Sequence, residues 1–185
     1  SRPRRVKRTR MISKKVCLLG AFSVGKTSLV SQYVHSIFSD KYLSTVGVKI
    51  SKKELQADGE DVTLVLWDME GRDNYADINV SYLRGSMGLL IVADGTRKET
   101  LDSALALRRL AGDILGDKVP SYLLINKSDL AERWEVTGSM IADIESLGVK
   151  TILTSAKTGQ SVSTAFMSLA KDMLANDILP QDAPG

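Results

Sequence analysis

Gly20-Ala21-Phe22-Ser23-Val24-Gly25-Lys26-Thr27 is the stretch that decides the fold. It fits the pattern G-x-x-x-x-G-K-[ST], follows the apolar run Val16–Leu19 and opens a stretch, Lys26–Ile37, that reads as a helix. In that strand–loop–helix setting the glycines let the backbone curl, so that its N–H groups turn inward and form an anion nest. The N-terminus of the following helix adds partial positive charge. Lys26 supplies a point charge for the β- and γ-phosphates of a nucleotide. The Thr27 hydroxyl is the kind of oxygen that the hard cation Mg²⁺ prefers. By itself the stretch leaves ATP, GTP and several reaction types open.

Outward from this loop, short apolar runs alternate with helical patterns. Val16–Leu19, Met87–Ala93, Tyr122–Ile125 and Val149–Leu153 read as buried strands, and such near-continuous runs suit parallel strands covered on both faces. The last helix is the plainest: Val162, Ala165, Phe166, Leu169, Ala170, Met173 and Leu174 form one apolar stripe at helical period. One segment breaks the alternation. Val46–Leu55 and Val62–Asp68 flank Asp58-Gly59 with no helix between them, which predicts a hairpin. The expected fold class is therefore α/β, with a mostly parallel sheet and one antiparallel edge strand. Ligands of such sheets sit beyond the carboxyl ends of the strands, and the polar motifs do follow strands.

A chain of 185 residues favours one domain, and at 43% apolar and 25% charged residues it has the balance of an ordinary globular one. The single cysteine, Cys17, lies in an apolar run and reads as a small core residue; no disulfide within the chain is possible. No apolar stretch approaches the roughly 20 residues needed to span a bilayer. Charge is uneven. Residues 1–10 carry six Arg/Lys and no acid, while the rest has 19 basic and 22 acidic residues, so the net +3 belongs to the arm. The expected layout is a basic, flexible extension over 1–13, a domain over 14–176 and a tail over 177–185. A mildly acidic domain is a poor candidate for nucleic-acid binding. Membrane contact is open only to the basic arm; the C-terminal residues 179–185 hold no cysteine for prenylation. The expected location is cytoplasmic, or peripheral at a membrane surface.

Two later segments point to the base. Asn126-Lys127-Ser128-Asp129 follows the run Tyr122–Ile125, and Ser155-Ala156-Lys157 follows Val149–Leu153. With the phosphate loop ahead of them, N-K-x-D and S-A-K in this order resemble the small GTPases of the Ras superfamily, over about Lys14 to Leu174. The resemblance implies the three-layer P-loop GTPase fold, a six-stranded sheet with helices on both faces. It also implies GTP or GDP as the ligand, with Mg²⁺. Ser23, Val24, Gly25, Lys26, Thr27 and Ser28 would hold the phosphates. The Asp129 carboxylate would accept from the two guanine donors, N1–H and the amino group; adenine lacks that pair and would leave a buried carboxylate unsatisfied. The Ala156 N–H would donate to guanine O6, with Ser155 and Lys157 beside it. Lys127 would lie along the base plane, Asn126 would tie the segment to the phosphate loop, and Phe38 would pack edge-on against the ring.

The same resemblance, nearest here to Rab-type members, reads Ser39–Val48 as switch I. Thr45 would ligate Mg²⁺ and meet the γ-phosphate, and Tyr42 would close over the nucleotide; loss of that phosphate would release the loop. Asp68-Met69-Glu70-Gly71 matches D-x-x-G, with Asp68 holding Mg²⁺ through a water and the Gly71 N–H meeting the γ-phosphate. Switch II would continue to about Arg84. Effectors and regulators would read these two switches.

The chain departs from the family pattern D-T-A-G-Q, reading Asp68-Met69-Glu70-Gly71-Arg72. Arg72 stands where a glutamine normally orients the attacking water, and a guanidinium has no acceptor for that water's proton. It can instead stabilise charge on the γ-phosphate, as an arginine finger in cis. Glu70 replaces a small residue and would either repel the phosphate or accept the water's hydrogen bond. Phe22 replaces a residue that is often glycine, and its ring would crowd a partner's arginine. The expected catalytic set is Lys26, Thr45 and Gly71, with Arg72 and Glu70 as atypical members. The expected activity is a switch with slow or non-standard GTP hydrolysis; the alternative is a guanine-nucleotide-binding scaffold without turnover. A P-loop kinase would need an acceptor site, and Asp129 speaks against ATP. His35 and Trp134 belong to no motif.

Overall fold

The computed structural model describes residues 11–39, 47–69, 71 and 79–178. The chain runs β1 (Ile12–Gly20), α1 (Lys26–His35), β2 (Val48–Ala57), β3 (Glu60–Met69), α2 (Val80–Leu83), β4 (Gly88–Asp94) and α3 (Glu99–Leu115). It continues through β5 (Ser121–Asn126), a 3₁₀ turn (Ala131–Arg133), α4 (Gly138–Ser146), β6 (Thr151–Leu153) and α5 (Val162–Ile178). The six strands form one sheet in the order β2-β3-β1-β4-β5-β6. Only β2 is antiparallel to its neighbour; β1 pairs parallel with β3 and β4, β4 with β5, and β5 with β6.

Alternation along the strands divides the core in two. In β1, Val16 and Leu18 face the cluster with Leu29 and Val30 of α1 and Phe166 and Leu169 of α5. Cys17 and Leu19 face the other, with Leu101, Ala104 and Leu107 of α3 and Ile144 of α4. Both faces are covered, which is why this strand reads as a continuous apolar run. Cys17 is fully buried and free, as its sequence context predicts. The hairpin turns at Asp58-Gly59, both in the left-handed region at φ 50° and 78°, the geometry that a two-residue hairpin turn needs.

Element ends moved. β1 starts at Ile12, paired with Val62 of β3, so two residues assigned to the flexible extension belong to the sheet. At the other end α5 runs to Ile178, past the expected domain boundary at 176. α1 stops at His35 because Ser36 turns left-handed at φ 54°, short of the expected Ile37. β6 is three residues long and not five.

The topology builds the site. After β1 the chain crosses on the α1 face toward β3, and after β4 it crosses on the α3 face toward β5. Loops leaving these adjacent strands therefore diverge and open a crevice at their carboxyl ends.

Candidate nucleotide site

The phosphate loop, 20–27, leaves β1 at this crevice. Gly25 lies at φ 103°, and a Cβ there would stand 2.3 Å from the Asn126 amide nitrogen. Both the backbone hand and the close approach of the base segment demand glycine. Ser23 is left-handed as well, at φ 63°. Lys26 is buried and folds back over the loop, donating to the carbonyls of Gly20 at 3.0 Å and Ala21 at 3.1 Å. Burial pushes its ammonium down to about 8, the Asp68 carboxylate opposing and Arg97 adding to the shift. A phosphate anion beside it would favour the charged form and oppose that shift.

Thr27 Oγ1 donates to Asp68 Oδ2 at 2.6 Å, so the hydroxyl from α1 and the carboxylate at the end of β3 converge. Their donor atoms are all oxygen, and Mg²⁺ bound by one or two protein ligands with water and substrate phosphates is satisfied by such a pair. The residues fit the ion that the sequence implied. Gly71 also lies against the loop: a Cβ would stand 2.7 Å from the Ala21 carbonyl oxygen and 2.8 Å from Lys26 Nζ. Thr45, Tyr42, Glu70 and Arg72 lie outside the described residues.

Asn126 occupies the centre of the base side and is buried. Its Nδ2 donates to Val24 O at 3.0 Å, and its Oδ1 accepts from Thr154 Oγ1 at 3.1 Å and the Ala156 N–H at 3.2 Å. One amide thus ties the phosphate loop, β5 and the S-A-K segment together. The Ala156 N–H, expected to face guanine O6, has Asn126 Oδ1 as its partner; a base would share this donor. Asp129 accepts from the buried Ser155 hydroxyl at 2.8 Å, which fixes the carboxylate's orientation. Ser155 is therefore an orienting residue and Lys157 an exposed one. Ser28 sits in the first turn of α1, and Phe38 beyond its end is 36% exposed. Phe22 projects its ring outward, 47% exposed.

Lys127, at φ 69°, sends its ammonium to Ser23 O at 3.0 Å and to Asp94 Oδ2 at 2.8 Å. Asp94, at the end of β4, is a site residue that the sequence reading missed. Its carboxylate also accepts from the Thr96 N–H at 2.9 Å, Thr96 Oγ1 at 2.7 Å and Arg97 Nε at 3.0 Å. Arg97 goes on to donate through Nη2 to Phe22 O at 2.8 Å. The position of Asp94 at the end of an apolar strand beside the phosphate loop's own strand was the one available signal.

A family model described as the Ras family matches residues 15–175. The chain belongs to the Ras family of small GTPases. Ras-related protein Rab-21 of Geodia cydonium is 35% identical over 91% of this chain and 74% of that protein. The GTP-binding protein YPTM2 of Zea mays is 32% identical, covering 88% of the chain and 82% of its own length. Human Ras-related protein Rab-8B is 30% identical over 86% of the chain and 78% of its own length. This small GTPase is thus a Rab-like GTP-binding switch, on the six-stranded mixed sheet of a P-loop GTPase. Among its described residues no helix is long and apolar enough to cross a membrane.

Proposed function

We propose that this GTPase binds GTP and GDP with Mg²⁺ and hydrolyses GTP slowly, through an atypical switch II. One observation carries the reading. Gly71 rests against Ala21 and the Lys26 ammonium, and its covalent neighbours are Glu70 and Arg72 where the family has a small residue and glutamine. The residue that would meet the γ-phosphate is thus flanked in the chain by a carboxylate and a guanidinium. Lys26 and the Gly71 N–H stabilise the charge that develops on the transferred phosphoryl group. Mg²⁺, when bound, would supply positive charge that offsets the charge of the phosphates. Thr27 and Thr45, with Asp68 through a water, would hold it. At the position where the family has a glutamine, which both donates to and accepts from the attacking water, Arg72 only donates.

Asp129 selects guanine, with Ala156 and Lys127 completing the base pocket. Effectors and regulators read switch I and switch II, and the basic arm can meet an anionic membrane surface. Single-turnover hydrolysis with the purified full chain tests the proposal. Slow phosphate release above the background of free GTP, increased in Arg72→Gln, is the expected result. Release no faster than free GTP would replace the slow enzyme with the scaffold reading. A fall in Arg72→Gln would make Arg72 itself a participant.

A further inference from the structure

We infer that Arg97 is a positioning residue for the nucleotide phosphates: anchored on Asp94, it holds the Phe22 carbonyl on the outer side of the phosphate loop and so aims the Ser23 N–H inward. The inference rests on reading 20–27 as the phosphate-binding loop.

In a trans peptide the carbonyl and the following N–H point in opposite directions. Arg97 Nη2 binds the Phe22 carbonyl at 2.8 Å, and that peptide unit carries the Ser23 N–H. Lys127 Nζ binds the Ser23 carbonyl at 3.0 Å, and that unit carries the Val24 N–H. Two cations on the outside of the loop thus turn two successive N–H groups toward its inside, where a phosphate is to be held. They also hold Ser23 left-handed at φ 63°, a conformation that is unfavourable for a residue with a side chain.

Both cations share one anchor. Asp94 is 1% exposed, and its Oδ2 accepts from Arg97 Nε at 3.0 Å and pairs with Lys127 at 2.8 Å. Thr96 saturates Oδ1. The loop carrying the anchor is itself fixed from the base side. The Gly95 N–H donates to Asn126 O at 3.0 Å, and its carbonyl accepts from the Glu135 N–H at 2.8 Å. Trp134 covers Gly95 so closely that a Cβ would stand 1.9 Å from the indole. The guanidinium suits this place because it donates from Nε and Nη2 in a rigid fork, to a carboxylate and a carbonyl at once. A lysine can make only one of those contacts well.

The test is release of a fluorescent GDP analogue from the loaded full chain, with GDP and GMP affinities measured beside it. Arg97→Gln is expected to release GDP about tenfold faster, the effect of losing the charge-assisted hydrogen bond to the Phe22 carbonyl. Its GDP affinity should fall about tenfold while its GMP affinity falls less than about threefold, because GMP has one phosphate fewer to place. Arg97→Lys should lie between Arg97→Gln and wild type. Equal losses for GDP and GMP would mean that Arg97 merely stiffens the fold, and wild-type release from a folded Arg97→Gln would refute the role outright. If the glutamine variant does not fold, Arg97→Lys decides, since wild-type release from it overturns the inference. Failure of the wild-type chain to bind GDP would instead refute the phosphate-loop reading itself.

Discussion

Replacing Asn126 with alanine should uncouple the two halves of the nucleotide site. The Asn126 amide is 1% exposed and makes three hydrogen bonds, to Val24 O at 3.0 Å and from Thr154 Oγ1 and the Ala156 N–H at 3.1 and 3.2 Å. At about 1 kcal/mol net for each bond, the truncation costs about 3 kcal/mol. For a domain of this size that lowers the thermal midpoint by about 6–12 °C. Bound nucleotide raises the midpoint by mass action, so the comparison is made at one fixed, saturating GDP concentration. Asn126→Asp separates the links. It keeps an acceptor for Thr154 and Ala156, but it sets a carboxylate oxygen against the Val24 carbonyl where an N–H was. It should therefore release GDP faster than wild type even if its acceptor bonds persist. An Asn126→Ala protein that melts within about 2 °C of wild type and holds GDP as long would refute the reasoning. It would mean that the three bonds are replaced by water or by one another at no cost.

Asp129→Asn should lose guanine affinity and gain affinity for xanthine nucleotides, whose added carbonyl can accept from the new amide; an unchanged GTP/XTP preference in competition would count against the assignment. Gly95→Ala places a methyl 1.9 Å from the Trp134 indole, and displacing the ring should cost about 1–3 kcal/mol. Thermal melting and tryptophan fluorescence read it, and wild-type values for both would show that the ring does not pack there. The pH dependence follows from Asp94. Burial pushes its carboxyl up, but hydrogen bonds from Lys127, Thr96 and Arg97 outweigh that and hold it below its ordinary value. A carboxylate lowered in the folded state stabilises fully above its unfolded value of about 3.9 and loses that contribution as the pH falls further. The thermal midpoint should then show no Asp94-dependent change between pH 7 and 5, and Asp94→Asn should flatten the decline below about pH 4.

What could be read in the sequence was local. Gly20–Thr27 is eight consecutive residues whose chemistry follows from their own backbone and the helix they open, and Asp58-Gly59 sets its hairpin turn by its own torsions. The buried strands declared themselves because a strand covered on both faces must be apolar throughout. Element ends were less legible. Ile12 and Ser13 extend β1 because they pair with Val62 and Thr63 of β3, and β6 ends where its pairing with β5 ends, at Leu153.

The brace belongs to tertiary structure alone. Asp94-Gly95-Thr96-Arg97 is an ordinary polar turn after a strand, and Trp134 is one indole in a loop. Arg97 and the carbonyl it holds are 75 residues apart, and Asn126 is 102 residues from the Val24 carbonyl. No periodicity or spacing links groups at that separation. They meet because β4 lies between β1 and β5, so that three loops open side by side at one end of the sheet. The sequence by itself determined that a phosphate would be bound and that guanine would be chosen. Strand order decided which side chains hold the loop in the shape that binds it, because hydrogen bonds over 3 Å depend on where elements lie and not on how far apart they are in the chain.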